Sequence, residues 1–546
     1  MSAVPFRFIL FVCFLSMLSA CGQGISPETQ AATASPVVPT SSDPLVPVDY
    51  PEAFLRVEAL LKAEQIDAAL VELTRILETD PDPFTAKLAH VKRGQIYRSL
   101  GDYENAVLDF DAVLAVDPEY IPALEARASV YVKLDRLEEA VADYDTLLRL
   151  QPDTFEYLYD RSLLLDALGF YSQALLDIDQ ALLLSPNDAS LLTRRGVIHT
   201  HSGEPDLALA DFSQALTADP NFTEAVFQRG RLYYDRSEFD LALEDFDRVV
   251  ASEPGKAEAY YWRGLIHYSG QEYESALQDF NSLLILSPDL PEGYFYRAII
   301  FEALEQHEAA IADLDQLIAS HPEYASAYQN RGVIHQALGH TDLALVDFNR
   351  LIELSPDANA YDLRSNLYLQ MGQVELALDD LNAALALDPE FAPAYFHRSN
   401  ANLDLGRTSL ALSDIDRYIE LQPDSAQGYI QRAIINYRSH HPERALPDLD
   451  AAAALDPENV QLHMVYGAVF VDFGMNQQAI ESFSRVIELD PANYNAWYNR
   501  GLIYKFIGSI DLAIADFEQV LSLNAPLELQ ESARQRLAEM GVQAAP

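Results

Sequence analysis

The chain has 546 residues, 49% of them hydrophobic, with 84 acidic against 36 basic side chains and a formal net charge of −48. That balance excludes nucleic acid as a ligand, since its phosphates would be repelled. It suits a basic partner, and it equally suits a large surface kept soluble by carboxylates.

Residues 1–20 open with Arg7 and an apolar stretch from Phe8 to Leu18. The stretch is too short to span a bilayer comfortably and reads as a signal peptide. It ends Leu18-Ser19-Ala20-Cys21-Gly22. These residues resemble the lipobox of bacterial lipoproteins. The resemblance implies cleavage before Cys21 and diacylation of its thiol, usually with acylation of the new amine. Two or three acyl chains anchor stably where one is marginal. The residues also admit an ordinary secretory signal whose cleavage happens to precede a cysteine. Cys13 leaves with the signal, so Cys21 is the sole thiol of the mature chain, which excludes an intramolecular disulfide and a thiolate metal site. Residues 21–49 then comprise the lipidated cysteine and a Ser-, Thr-, Ala- and Pro-rich tether too poor in large apolar residues to fold. Gly22 does not resemble the aspartate that retains lipoproteins at the inner membrane. The expected address is the cell envelope: the periplasmic face of the outer membrane if there are two membranes, the outer face of the plasma membrane if there is one.

Prolines then fall at 118, 152, 186, 220, 254, 288, 322 and 356, slip once to 389, and resume at 423, 457 and 491. A 34-residue period marks a stack of two-helix units, each burying its apolar face only against its neighbours. With this proline as position 32, repeats 1 to 14 begin near residues 50, 87, 121, 155, 189, 223, 257, 291, 325, 358, 392, 426, 460 and 494, with a short linker, Phe84 to Ala86, after the first. Position 20 is alanine in all fourteen, from Ala69 to Ala513, which lets two helices approach closely. Position 8 is small in every repeat but the first, and position 24 is large and apolar. Glycine often sits at the turn between the helices, as at Gly101 and Gly339, where it can take a left-handed conformation. An Asp-Pro or Ser-Pro pair closes the second helix.

A typical stretch reads AYYWRGLIHYSGQEYESALQDFNSLLILSP, residues 259–288. This pattern resembles the tetratricopeptide repeat over residues 50–527. The resemblance implies an all-α fold of antiparallel helix pairs, stacked into a right-handed superhelix with a concave groove and exceeding one superhelical turn. Within residues 528–546, Leu529, Ala533, Leu537 and Met540 lie at helical spacing and predict a cap helix.

Where the family has an apolar residue at position 7, thirteen repeats carry arginine, and in the same thirteen position 23 is acidic. Repeat 13 lacks both, with Tyr466 and Ser482. Coincident loss predicts a paired contact: Arg93 with Asp109, Arg263 with Asp279, Arg331 with Asp347. The pair reads as an orienting ion bridge within a repeat or between neighbours, with a ligand-binding charged stripe as the alternative.

In this family the first helix of each repeat lines the groove, near positions 2, 5, 9 and 12. Those positions are richest in aromatics around repeats 6 to 8, and they nominate Phe227, Arg231, Tyr234, Tyr261, Tyr268 and Phe295 as binding residues. The competing reading packs some of these rings between helices. A carboxylate clamp, which needs Lys at position 5 and Asn at position 9, is absent: Asn366 and Asn400 follow Asp362 and Phe396. No HExxH, GxSxG, P-loop or Rossmann fingerprint occurs, so neither catalysis nor a metal or other cofactor is expected. The expected function is a membrane-anchored scaffold or adaptor that holds a protein or peptide. The alternatives are a glycan-binding module, which needs exposed, flat-lying tyrosines, and a purely structural spacer.

Overall fold

The computed structural model describes residues 49–523 and 525–542. The signal segment, Cys21 and nearly all of the tether lie outside the described residues. Among those described there are 29 helices and no strand, an all-α repeat solenoid of fourteen helix pairs and one terminal helix. Repeat 7 is representative, with a first helix at Ala257–Ser269 and a second at Tyr273–Leu286. The chain divides into two compact parts between Asp177 and Ile178, inside the second helix of repeat 4 (Tyr171–Leu184). Both parts are built by the same local rules.

The turn within each repeat is set at position 15. That residue takes a left-handed conformation in all fourteen turns, as glycine in eight, such as Gly474 (φ 68°), and as Glu64, Asp135, Ser237, Gln271, Glu305 and His440 in the rest. The register of the packing demands it, since the residues without glycine accept a steric cost of about 1–2 kcal/mol.

The core follows a second rule. Position 20 alanines such as Ala276 and Ala344 are fully buried, and position 8 faces position 24. In seven repeats position 8 is glycine and position 24 phenylalanine. A Cβ on Gly332 would lie 2.7 Å from the Phe348 ring, and one on Gly467 2.6 Å from Phe483. Where position 8 is Ala or Ser, position 24 is Tyr, Ile or Leu, as in Ala298 with Leu314 and Ser365 with Leu381. The ring and the methyl group compete for one volume, and the interior is close-packed.

The linker expected at Phe84 to Ala86 is helical. Asp82 caps the first helix of repeat 2, its carboxylate accepting from the backbone N–H of Phe84 and Thr85, and Pro83 opens a long helix, Pro83–Leu100. The terminal helix, Leu527–Glu539, buries Ala533 and Leu537 fully and packs Leu529 and Met540 beside Phe517. First helices of some successive repeats approach one another closely, as in repeats 5 and 6 or 12 and 13.

Candidate functional site: the first-helix face and its charge ladder

In repeat 7, Arg263 donates to Asp279 through Nε (3.0 Å) and Nη2 (2.5 Å), joining the two helices of the repeat. Its Nη1 donates to Asp247 Oδ1 of repeat 6 at 2.7 Å. Arg331 repeats the arrangement, with Asp347 at 2.9 and 2.6 Å and Asp315 at 2.5 Å. Arg93 meets Asp109 at 2.9 and 2.8 Å, and its Nη1 donates to the Thr74 hydroxyl at 3.0 Å. Each of these three arginines therefore binds both its own repeat and the preceding one. Asp109, Asp279 and Asp347 are at most 2% exposed, while their arginines keep 18–19% of their side-chain surface, so each pair is a strut whose acid is interior. Hydrogen bonds to Asp347, opposed by burial, hold the Arg331 guanidinium above its ordinary range. Burial pushes the Asp279 carboxyl up, against the pull of Arg263.

The nominated groove residues fall into one aromatic assembly on repeats 6 to 8, and it corrects their expected exposure. Phe227 is buried, edge-on to Phe246 at 5.9 Å, with the Lys256 ammonium 4.3 Å from its ring centre. It is a core residue. Tyr234 meets Trp262 at 5.0 Å and Phe239 at 5.6 Å, both edge-on. Tyr261 lies among Trp262 (5.4 Å), Tyr296 (6.0 Å) and Phe280 (6.2 Å). Tyr268 approaches Tyr273 and Tyr296. Phe295 packs on Tyr296 and Tyr324, and Arg231 reaches over the Trp262 ring at 5.4 Å. Apart from the buried Phe227 and Trp262, the nominated rings and Tyr296 are half-buried, and Tyr234 and Tyr261 reach across to rings of the next first helix, the competing reading for most of the set. Tyr234, Tyr261 and Tyr268 are partly buried and held against neighbouring rings, whereas a sugar platform needs them exposed and flat-lying.

Burial, reinforced by Tyr296 and Glu292, pushes the Tyr261 phenol up; burial does the same for Tyr234, Tyr268 and Tyr296. The floor of the face is thus held neutral. Its carboxylates are at the edge: Glu258 and Glu302 are exposed, Glu292 half-buried. Glu224 is anchored, accepting from Lys256 Nζ and from Gln228 Nε2, each at 2.7 Å. Burial alone would raise its carboxyl; those two hydrogen bonds hold it below the usual range.

Sequence reasoning missed Trp262 and Tyr296, which organise the assembly, and Lys256, which closes one end. The signal was present: repeats 7 and 8 alone carry Phe, Tyr or Trp at position 6. Among the described residues no cluster of His, Cys, Asp or Glu is arranged to hold a metal, and no helix is long and apolar enough to cross a membrane.

A family model described as a tetratricopeptide repeat matches residues 54–121, 91–155, 125–177, 159–221, 227–291, 297–359 and 363–426, and two further models of the repeat match 467–506 and 494–526. A search of curated proteins found no match. Among solved structures the chain is similar to MamA (25% identity, 30% of this chain and 94% of that one, TM-score 0.29). It is similar to a tetratricopeptide repeat protein from Parabacteroides merdae ATCC 43184 (24% identity, 45% and 98%, TM-score 0.34). It also resembles a structure of the APC/C hetero-tetramer Cut9-Hcn1 (13% identity, 84% and 96%, TM-score 0.42). With the family models covering well over half its length, the chain belongs to the tetratricopeptide repeat family.

Proposed function

We propose that this protein is a lipid-anchored scaffold of the bacterial cell envelope. In this reading residues 1–20 direct export, Cys21 carries the acyl chains, residues up to 49 form the tether, and the repeat array holds a protein or peptide partner. Tetratricopeptide repeat proteins are generally protein–protein interaction scaffolds.

One observation carries the location of binding: the first-helix face of repeats 6 to 8 combines a packed aromatic floor with exposed carboxylates at Glu258 and Glu302. A floor whose rings are already immobilised loses little side-chain entropy on binding. The carboxylate edge favours an extended segment bearing lysine or arginine. The chain's net charge of −48 acts in the same direction.

The test is crosslinked capture from native envelopes with the full-length protein beside a Glu258→Lys, Glu302→Lys variant. Both changes leave the aromatic packing in place. A protein captured by the first and lost with the second supports an adaptor using this face. Identical captures reject the face, and no capture favours a structural spacer. Anchoring is tested separately: intact mass of the mature N-terminus should show acylated Cys21, and Cys21→Ser should move the protein to the soluble fraction.

A further inference from the structure

Position 11 of the first helix carries a ring in most repeats, including Tyr131, His267, Phe301, Tyr368 and Tyr504. Repeat 11 carries Asn402 instead. There the structure opens a cleft of about 470 Å³. It lies between the second helices of repeats 10 (Val374–Leu387) and 11 (Thr408–Leu421), with the first helix of repeat 11 (Ala392–Asp404) as its floor. The volume falls in the range of about 300–1,000 Å³ common for ligand sites. Asn402 is 5% exposed, and its Nδ2 donates to Asp414 Oδ2 at 3.1 Å.

Repeat 3 shows what such a cleft can hold. Two repeats, 3 and 11, carry arginine at both positions 7 and 16. In repeat 3 the Tyr131 ring is covered by both, Arg136 at 4.5 Å and Arg127 at 5.5 Å. In repeat 11 the corresponding Arg398 and Arg407 line the cleft, and Asn402 leaves the place of the ring open. Arg398 has one ring beside it, Tyr395 at 5.5 Å, where Arg364 of repeat 10 has two, Tyr361 and Tyr368. Asp414 and Asn382 hold the Arg398 guanidinium in place. A second difference favours an incoming ring. In repeat 3 Glu139 accepts from Arg136 Nε at 2.8 Å. Its counterpart in repeat 11 is Leu410, 54% exposed and lining the cleft. Asn436 of repeat 12 also lacks a ring, but His441 stands at its position 16, so the arginine pair is not repeated there.

We propose that this cleft receives an aromatic side chain from another polypeptide, seated on the Arg398 and Arg407 guanidiniums as Tyr131 is seated in repeat 3. Ring and guanidinium attract through the ring quadrupole, and more strongly when water is excluded. Glu375 and Asp379 at the rim select a ring flanked by lysine or arginine. The site lies between second helices, apart from the first-helix face, and does not depend on that face binding anything.

The test uses the full-length protein with two probes, acetyl-Lys-Tyr-Lys-amide and acetyl-Lys-Ala-Lys-amide, read by saturation-transfer NMR. The tyrosine probe should bind saturably, with transfer concentrated on its ring protons. Asn402→Tyr gives repeat 11 the residue that repeats 3 and 10 already carry; it should weaken binding at least tenfold while the melting temperature holds or rises. Arg407→Gln, at an exposed side chain, should weaken binding roughly threefold. Glu308→Lys, an exposed change on the second helix of repeat 8 away from both sites, should leave it unchanged. The proposal is overturned if the wild-type protein gives no transfer, if the alanine probe binds equally, or if Asn402→Tyr binds as the wild type does. Should Asn402→Tyr fail to fold, unchanged binding by Arg407→Gln overturns it.

Discussion

Repeats 7 and 13 reach the same fold with different chemistry. Repeat 7 joins its helices through Arg263 and Asp279 and ties itself to repeat 6 through Asp247. Repeat 13 has Tyr466 and Ser482 in those places. Tyr466 Oη donates to Asp450 Oδ1 of repeat 12 at 2.6 Å, and Ser482 turns back on the Gln478 carbonyl at 2.9 Å. Tyr466 also stacks on Phe470 at 5.5 Å. The contact between repeats therefore survives, while the one within the repeat is given up. Both repeats keep the glycine–phenylalanine contact, Gly264 with Phe280 and Gly467 with Phe483. The packing of position 8 against position 24 is what the fold requires; the ion pair orients helices that packing has already joined.

The largest expected effect comes from breaking the pair on one side. Arg263→Ala strands the buried Asp279 and should destabilise by about 3–5 kcal/mol. Arg263→Leu with Asp279→Leu should cost much less. Tyr466→Phe, which removes one hydrogen bond, should cost about 1 kcal/mol. Hydrogen exchange in the second helix of each repeat measures all three locally; equal losses for the single and double changes would refute the strut.

Next in size is the steric rule. Gly467→Ala should cost about 1–3 kcal/mol, and more than Gly264→Ala. The Cβ would sit 2.6 Å from the Phe483 ring in the first case and 3.0 Å from Phe280 in the second. Adding Phe483→Leu should recover most of the loss, reproducing the pairing of Ala298 with Leu314. Thermal melting of the single and double variants decides it.

Alkaline titration separates the two repeats by their phenols. Tyr261, Tyr268 and their neighbour Tyr296 are raised by burial, and Tyr466 by burial and its bond to Asp450. A phenol raised in the folded state holds its proton where the unfolded chain releases it. The stability it contributes is complete below about pH 10, the ordinary phenol value, and is lost as pH rises toward the folded value. Protection against exchange, corrected for the intrinsic rise of the rate with pH, should fall first in repeat 7, with more such phenols around it. Protection that is flat through this range, or that falls first in repeat 13, would count against the aromatic floor.

The smallest effect is at the turn. Repeat 13 has Gly474 at position 15 and repeat 7 has Gln271 at φ 62°. Gln271→Gly should stabilise by about 1 kcal/mol, the strain relieved less the entropy gained by the unfolded chain. A fall in melting temperature would mean the Gln271 side chain contributes more than its backbone costs.

Much of this was legible because the chain states it fourteen times. The alanine at position 20 and the joint loss at Tyr466 and Ser482 predict helix pairing and an Arg–Asp contact without coordinates. Helical spacing at Ala533 and Leu537 predicts the cap. The groove was less legible, since one sequence cannot say which way a half-apolar ring turns. Phe227 has the same residue type and the same nominal position as Phe295, yet it is buried while Phe295 is only partly so.

The amino-acid sequence by itself determines the repeat, its period, its steric pairing and its charge, because each repeats a local rule that a single unit already obeys. The tertiary structure alone decides what depends on one repeat meeting the next. It places arginines such as Arg263 and Arg331 between two repeats. It gathers Trp262, Tyr261 and Tyr296 from two first helices into one floor, and it leaves a cleft where Asn402 stands between neighbouring second helices. Those features arise from the distance between elements that the chain keeps apart, and no single segment contains that distance.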